Sequence, residues 1–251
     1  MPARLHIDPD PAGPRWAPGV ELALPANASR HVQVLRLQPG AEIQLFDGRG
    51  GEWCAEVLEM GRKTVSVCLR AHAAVERELA GAVTLALGMP ANERMDSLVE
   101  KATELGVAAI APLVCERSVL RLAGERAERK AAHWQAIAVA ACEQSGRNRV
   151  PQIALPITLR DLLAQQAAGH RLLLSLDADA LPLARWLGPS GSVRTGAITL
   201  LSGPEGGLAP AEIRSAREAG FVPVSLGSRV LRADTAPLAA LAVIAALEAA
   251  A

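Results

Sequence analysis

Aromatic side chains are scarce in this sequence, which has two Phe, four Trp and no Tyr among its 251 residues. Proteins that hold single-stranded nucleic acid without sequence preference stack its bases on several aromatic rings. The scarcity therefore argues against such a stacking platform. An excess of either charge is also absent, because 26 basic residues balance 26 acidic ones. This balance argues against bulk attraction to a polyanion and is compatible with a local basic patch.

Closely paired cysteines are absent as well. The four cysteines, Cys54, Cys68, Cys115 and Cys142, form no CxxC pair, and each lies among apolar residues. Zinc sites and redox motifs depend on such pairs. We therefore expect reduced core thiols in a cytoplasmic protein, with no metal site and no disulfide.

The sequence has no long hydrophobic run. Its first ten residues, MPARLHIDPD, contain no apolar segment of the kind that a signal peptide carries. The apolar stretch at 238–251 is too short to cross a bilayer and includes Glu248. We therefore expect no membrane segment and no signal peptide, and we interpret the last stretch as a buried helix.

Residues 1–72 predict a small β-barrel domain. Strand-like runs at 21–24, 42–46, 53–58 and 64–69 alternate with glycine-containing turns, and a helical turn is expected at 29–37. Residues 73–251 predict a second domain, in which strand and helix patterns alternate. Its predicted strands lie at 83–87, 108–114, 172–176, 197–201 and 222–226, and its predicted helices at 93–105, 125–145, 210–219 and from about 234 onward. This alternation predicts an α/β fold with a mostly parallel sheet and helices on both faces.

The motif SGPEGG at 202–207 directly follows a predicted strand. Its glycines allow a tight turn and the close approach of a ligand, and ligands of parallel α/β sheets bind at the carboxyl ends of strands. The motif is neither G-x-G-x-x-G nor a P-loop, and an unpaired Glu205 would repel a phosphate. A neutral or cationic ligand fits better. A plain strand-to-helix turn, with Glu205 favoured by the helix dipole, would carry the same residues.

A second polar loop, LGSRVLRADTAP at 226–237, follows the next predicted strand. Asp234 can be explained as a helix N-cap and Arg229 as a surface residue. Arg232 has no such simple structural explanation, because it stands in a loop that leads into an almost entirely apolar helix. Two polar loops in tandem predict one ligand site built from both.

A wider set of motifs carries a resemblance to a known family. They are RHVQVLRLQPGAEIQLFDGRGGEW at 30–53, MPANERMDSLVEKATELGVAAIAPL at 89–113, CEQSGR at 142–147, SGPEGG and LGSRVLRADTA. In this order the chain resembles the RsmE-type 16S rRNA (uracil-N3)-methyltransferases of the SPOUT superfamily. The family usually has Glu where Asp234 stands, which keeps the carboxylate and loses one methylene.

The resemblance implies a fold and an activity. The fold is a SPOUT trefoil-knotted, mostly parallel sheet with flanking helices, preceded by a PUA-like RNA-binding β-barrel. The activity is methylation of N3 of a specific uridine in the 16S rRNA of the small ribosomal subunit, with S-adenosylmethionine as the methyl donor. The enzyme would be a cytoplasmic homodimer.

The resemblance also implies site residues. The cofactor pocket would be built from the loops after three strands, with Leu174, Leu176, Leu201, Ser202, Gly203, Pro204, Glu205, Gly206, Gly207, Leu226, Gly227, Val230, Leu231 and Thr235 as its binding residues. RNA contacts are implied for Arg4, His31, Arg36, Arg117, Gln144 and Arg147, and Glu143 is a further candidate near the active site. For catalysis we expect Arg232, with Arg147 second, to stabilise charge on the uracil oxygens. The base would be Glu205, Asp234 or solvent.

Two alternatives stay open at this point. A SPOUT ribose 2′-O-methyltransferase would use the same loops on a hydroxyl group. A non-catalytic RNA-binding factor of ribosome assembly would need the first domain and not an intact cofactor pocket.

Overall fold

The computed structural model describes residues 2–10, 12–165, 168–188 and 196–249, and the chain divides into two compact units. The first unit comprises Met1–Glu78 and Cys142–Val150, and the second comprises Leu79–Ala141 and Pro151–Ala251. This division differs from the predicted boundary at residue 72. The reason is that residues after 72 pair with the later segment: Glu76 forms an ion pair with Arg149, and Glu78 forms one with Arg147.

The first unit is built on a five-stranded sheet. Its elements are β1 (Ala3–His6), β2 (Glu21–Ala23), α1 (Ala26–Val34), β3 (Glu42–Phe46), β4 (Glu52–Met60) and β5 (Val65–Ala73). The strand order is β1-β3-β4-β5-β2, and all neighbours are antiparallel except β1 and β3. Alternating residues of these strands, among them Ile43, Leu45, Val57 and Val67, are fully buried in one core. The predicted β-rich module is confirmed, with β1 as an additional strand.

Helix α1 begins and ends three residues earlier than predicted. The chain turns back just after it, because the N–H of Arg36 bonds to the carbonyl of Gln33 and the N–H of Leu37 bonds to that of Val32. Arg36 takes the left-handed conformation at φ 55° and is the only non-glycine residue with positive φ in the described part of the chain. Glycine is the usual residue at this position after a helix.

The second unit contains the remaining elements. They are β6 (Val83–Gly88), α2 (Asn92–Glu104), β7 (Ala109–Val114), α3 (Gly124–Ser145, whose last four residues are grouped with the first unit), β8 (Gln152–Ile153), β9 (Ile157–Thr158), α4 (Leu159–Ala164), β10 (His170–Leu174), β11 (Leu181–Pro182), α5 (Leu183–Leu187), β12 (Ile198–Ser202), α6 (Pro210–Glu218), β13 (Val222–Ser225) and α7 (Thr235–Ala249). The five long strands and four long helices lie close to their predicted ranges. The short elements β8, β9, β11, α4 and α5 were not predicted, because two to six residues carry too little periodicity.

All strand pairs of the second unit are parallel. The order is β11-β13-β10-β12-β6-β7-β8, with β9 also paired to β7. The central strands read as apolar runs, and Leu85, Leu172, Leu200 and Leu201 are buried, as expected for a sheet covered on both faces. The predicted α/β sheet is confirmed. The trefoil knot that the resemblance implies stays a prediction.

The cysteines are free thiols. Burial raises the pKa of Cys115 to about 12 and that of Cys142 to about 11. Both thiols are therefore protonated at neutral pH, so neither is a nucleophile or a ready metal ligand. Among the described residues, no group of His, Cys, Asp and Glu is arranged to hold a metal ion, and no helix is long and apolar enough to cross a membrane.

Candidate functional site

Three neighbouring strands of the second unit end at the same edge of the sheet. Strand β10 lies between β13 and β12 and is parallel to both, with Leu173 opposite Leu201 and Leu174 opposite Val224. The loops that leave these strands are therefore brought together, although they are far apart in the sequence. The crevice at the carboxyl ends of parallel strands is the usual ligand site of such sheets.

The SGPEGG turn is shaped by short contacts of its backbone. The N–H of Gly207 bonds to the carbonyl of Pro204 at 2.8 Å, and Gly207 has φ +68°. A side chain on Gly88, at the end of β6, would overlap the ring of Pro204, and one on Gly203 would come within 2.9 Å of the backbone nitrogen of Leu208. These glycines let the turn pack against β6 and fold tightly back on itself.

The three loops enclose a cavity of about 670 Å³. Its wall combines apolar side chains with exposed backbone of the loops. The lining residues are Arg94, Leu173, Leu174, Ser175, Leu176, Asp177, Ser202, Gly203, Pro204, Glu205, Gly207, Leu208, Ile213, Val224, Leu226, Gly227, Arg229, Val230, Leu231, Arg232, Ala233 and Ala236. A cavity of this size and character is typical of a site for a small molecule.

Most of the predicted cofactor residues belong to this wall. Those that line it are Leu174, Leu176, Ser202, Gly203, Pro204, Glu205, Gly207, Leu226, Gly227, Val230 and Leu231. Three others stand apart from the described wall: Leu201 is fully buried in the apolar core, Thr235 begins α7, and the Gly206 carbonyl accepts a hydrogen bond from Arg117 at 3.1 Å. Leu176 lies beyond the end of β10, which stops two residues earlier than predicted, and it is 60% exposed.

Charged groups of both signs reach the cavity. Arg232 and Arg229 lie exposed on the loop after β13, and Asp177 lies on the loop after β10. The Arg217 guanidinium of α6 holds Asp177 at 2.8 Å and the neighbouring Asp179 at 2.7 Å. This pairing fixes the loop after β10 to helix α6.

Glu205 is held by two partners at the cavity. Its Oε1 accepts a hydrogen bond from the backbone N–H of Ala91 at 3.0 Å and lies 3.6 Å from Nη1 of Arg94. Ala91 directly precedes helix α2, so the carboxylate stands at the positive end of the helix dipole. The roles of Glu205 as a base and in cofactor binding both stay predictions.

Arg94 was missed in the sequence analysis. The local pattern presents it as an ordinary solvated residue of an amphipathic helix. Its position beside Glu205 depends on a contact between residues more than a hundred positions apart. The motif at 89–113 contained the residue, but no local feature separated it from the other charged residues of that motif.

Two residues predicted to contact RNA are buried inside the first unit. Arg4 is 8% exposed and donates to Glu52 at 2.6 Å, to the Asn148 side chain at 2.7 Å and to the Arg147 carbonyl at 3.2 Å. Arg147 is 3% exposed and forms an ion pair with Glu78. These placements do not favour the predicted roles of Arg4 in RNA binding and of Arg147 in RNA binding and catalysis, which stay predictions. A buried, paired guanidinium has no free face for a substrate.

Glu52 stands at the centre of this charged network. Burial alone would raise its pKa, but hydrogen bonds from Arg77, Arg4 and Asn148 outweigh burial, so the pKa of Glu52 lies below its ordinary value of 4.5. The network joins β1, β4 and the segment Cys142–Val150 within the first unit. Its charges therefore act in holding the fold.

The other predicted RNA-contact residues are accessible. His31 is 44% exposed at its side chain, with Nδ1 3.9 Å from Glu143, whose other oxygen accepts the backbone N–H of His6 at 2.9 Å. Arg36 and Gln144 are exposed residues of the first unit, and Arg117 is an exposed residue of the second.

Both parts of the chain match known protein families. A family described as an RNA methyltransferase domain matches residues 77–245, and one described as an RNA methyltransferase PUA domain matches residues 24–67. Ribosomal RNA small subunit methyltransferase E of Synechocystis is 38% identical over 218 residues, which cover 86% of this chain and 69% of that protein. The Bacillus subtilis protein of the same name is 31% identical over 216 residues, covering 85% and 84%.

Two solved structures resemble the whole chain. Ribosomal RNA small subunit methyltransferase E of Neisseria gonorrhoeae, bound to S-adenosyl methionine, has a TM-score of 0.84 and 34% identity and covers 96% of each chain. A Legionella pneumophila protein, solved with SAM bound, has a TM-score of 0.88 and 33% identity and covers 98% of each chain.

Proposed function

Because this chain belongs to the ribosomal RNA small subunit methyltransferase E family of RNA methyltransferases, we propose that it methylates N3 of a uridine in 16S rRNA. The methyl donor is S-adenosylmethionine. The motifs at 30–53 and 142–147 favour the base N3 over a ribose hydroxyl, because they resemble the uracil-N3 branch of the SPOUT superfamily. The products are N3-methyluridine and S-adenosylhomocysteine.

The observation that carries the proposal is the cavity at the ends of β10, β12 and β13. Its wall offers apolar side chains for a flat ring, backbone groups for hydrogen bonds, and the carboxylates Asp177 and Glu205 for a ligand with positive charge. A nucleoside with a cationic sulfonium fits this set better than a phosphorylated nucleotide does, because the cavity has no Gly-Lys-Ser/Thr phosphate loop. Two relatives of the same fold were solved with this cofactor bound.

The cofactor-binding role falls on the loops that build the wall. Leu174 and Leu176 contribute from the first loop, residues 202–205 and 207 from the second, and Leu226, Gly227, Val230 and Leu231 from the third. When bound, the cofactor supplies a methyl group that is already activated by the positive sulfur. The protein then chiefly orients that methyl group towards the base.

Arg232 is the residue we assign to the reacting uracil. It is exposed on the cavity wall, in the loop 226–234. Methylation removes the N3 proton, so negative charge develops on O2 and O4 of the base. A guanidinium beside these oxygens stabilises that charge. Asp234 or solvent accepts the proton, and Glu205 is assigned to the cofactor.

The target uridine is unpaired or flipped out when it reacts, because N3 lies on its Watson–Crick edge. RNA contacts fall to the accessible residues His31, Arg36, Arg117 and Gln144. The small ribosomal subunit as the partner, a homodimer that completes the site, and action in the cytoplasm belong to the same proposal.

The test is in vitro methylation of small ribosomal subunits that lack the modification. Purified protein and S-adenosylmethionine are added, and the digested rRNA is analysed by nucleoside mass spectrometry. We expect N3-methyluridine, with Arg129→Gln as a control variant of wild-type activity because its pair with Glu125 is exposed on α3. A 2′-O-methyl nucleoside would establish the ribose alternative. Absence of any new methyl mark, together with absence of cofactor binding, would leave only the assembly factor.

A further inference from the structure

The cavity holds one charged pair that the transfer of a methyl group does not by itself require. We infer that Arg94 and Glu205 together bind the α-amino acid end of the methyl donor. Arg94 contacts its carboxylate and Glu205 its ammonium group. The inference rests on the proposed function and adds to it the two side chains that recognise the amino acid end of the cofactor.

The pair is loose and has spare hydrogen-bonding capacity. The separation of 3.6 Å between Nη1 of Arg94 and Oε1 of Glu205 is too long for a hydrogen bond. Within the described residues, the guanidinium of Arg94 donates no hydrogen bond, and Oε2 of Glu205 accepts none. Their side chains are 44% and 30% exposed, and an ion pair of this kind stabilises a fold by about 1 kcal/mol at most. Both groups can therefore bind a ligand instead of each other with little loss of folding stability.

The two segments that carry these side chains are nevertheless anchored. Glu205 is tied to the start of α2 through the Ala91 N–H. Helix α2 is tied to α3, since Asp96 accepts the indole N–H of Trp134 at 2.8 Å and lies 3.0 Å from Nε2 of His133. Binding groups on an anchored helix are held more accurately than groups on a loop.

The other guanidiniums near the cavity are less suited to this task. Arg217 already uses its terminal nitrogens on Asp177 and Asp179. Arg229 and Arg232 lie exposed on the loop after β13. Arg94 lies on helix α2, has unused donors in its guanidinium and stands beside a carboxylate.

The chemistry of the ligand matches the pair. An amino acid end carries a carboxylate and an ammonium group a few ångströms apart, so an arginine next to a glutamate complements both charges. The pair is neutral as a whole, so it does not repel a positive sulfonium nearby. A lone arginine would attract the carboxylate but oppose the sulfonium.

Binding calorimetry with two nucleosides tests the inference. S-adenosylhomocysteine carries the amino acid end, and 5′-methylthioadenosine lacks it while keeping the adenosine and the thioether. We expect Arg94→Gln and Glu205→Gln each to weaken S-adenosylhomocysteine binding about tenfold or more, because a hydrogen bond to a charged group is lost in each. Binding of 5′-methylthioadenosine should change less than about twofold. The control Arg129→Gln, which removes an exposed arginine of α3, should change neither.

The outcomes separate this inference from the function it rests on. If both variants weaken the two nucleosides equally, the pair only latches α2 to the SGPEGG turn and the inference is wrong. If neither variant changes S-adenosylhomocysteine binding, the amino acid end is bound elsewhere and the inference is also wrong. If the wild-type protein binds neither nucleoside, the proposed function itself fails.

Discussion

One arginine–carboxylate pair in each unit shows the contrast between a structural and a binding role. In the first unit, Arg4 and Glu52 are 92% or more buried and lie 2.6 Å apart, with further hydrogen bonds to Asn148 and Arg77. In the second unit, Arg94 and Glu205 are partly exposed and 3.6 Å apart. The terminal nitrogens of the buried Arg4 are used within the protein, and the loose pair keeps donors and acceptors for a ligand.

The difference shows which features separate a structural charge from a binding charge. The residue types are the same, and both pairs join segments that are distant in the sequence. Burial and unused hydrogen-bonding capacity are what differ. An arginine in a motif is therefore assigned to binding only after its partners are known.

Replacement of Glu52 is expected to cause the largest loss of unfolding free energy. Glu52→Ala leaves Arg4 buried without its carboxylate, and the loss of one partner of a buried pair costs about 3–5 kcal/mol of unfolding free energy. Urea unfolding followed by circular dichroism measures this change. The control is Glu56→Ala, which breaks the exposed pair with Arg70 and should cost less than about 1 kcal/mol. Equal losses in the two variants would contradict the distinction between the pairs.

The same network predicts that the free energy of unfolding falls at low pH. Because the folded pKa of Glu52 is depressed below 4.5, its contribution to stability is complete above the unfolded pKa. The contribution is lost as the pH falls through the folded pKa. The free energy of unfolding should thus decline below about pH 5, and less steeply in Glu52→Gln than in the wild type.

Arg232→Ala tests a charged residue of the proposed binding site. Its expected effect is on the activation free energy of methylation, and it is smaller than the loss of unfolding free energy in Glu52→Ala. Loss of a donor to developing charge should lower kcat about 100-fold, or roughly 3 kcal/mol, while stability changes little because the side chain is exposed. Single-turnover methylation measures the rate, and calorimetry with S-adenosylhomocysteine should show affinity within about twofold of the wild type. Full methylation by this variant with normal cofactor affinity would show that Arg232 is not the catalytic cation.

Arg36→Gly has the smallest expected effect of these test substitutions, and that effect is stabilising. Glycine relieves the left-handed conformation at φ 55° and should stabilise the fold by about 1 kcal/mol in urea unfolding. RNA binding should weaken, and its salt dependence should fall by about one unit of slope, because one phosphate contact is lost. Arg36→Lys, which keeps both the charge and the conformation, is the matched control. Unchanged RNA affinity in the glycine variant would remove Arg36 from the RNA surface.

Regular patterns made much of the second unit predictable from its sequence. The strands β6, β12 and β13 are apolar runs, and helix α2 carries Met95, Leu98 and Ala102 on one face, so local periodicity reveals them. The SGPEGG turn was also predictable, because glycine and proline in a short stretch indicate a tight turn. Strand β1 was not predicted, since four residues with a buried arginine show no strand pattern. It is specified by its pairing with β3, from Ala3–Ile43 to His6–Phe46.

The roles of the charged residues were the least predictable part of the site. Arg4 matched a family position, but its partners Glu52 and Asn148 lie 48 and 144 positions away. Only the folded chain shows that they satisfy its charge. Arg94 was missed for the converse reason. Its distant partner Glu205 leaves the guanidinium free to bind a ligand. Local sequence carries no signal for either outcome.

The first unit is discontinuous, since it needs Cys142–Val150 as well as Met1–Glu78, and this has a consequence for its biosynthesis. The chain emerges during translation at about 5–20 residues per second, so the early strands wait on the order of seconds for Asn148. Until then Arg4 lacks two of its hydrogen-bond acceptors, the Arg147 carbonyl and the Asn148 side chain. The amino-terminal unit therefore completes its folding only after the middle of the chain has been made, and a fragment that ends at residue 78 would remain in the unfinished state.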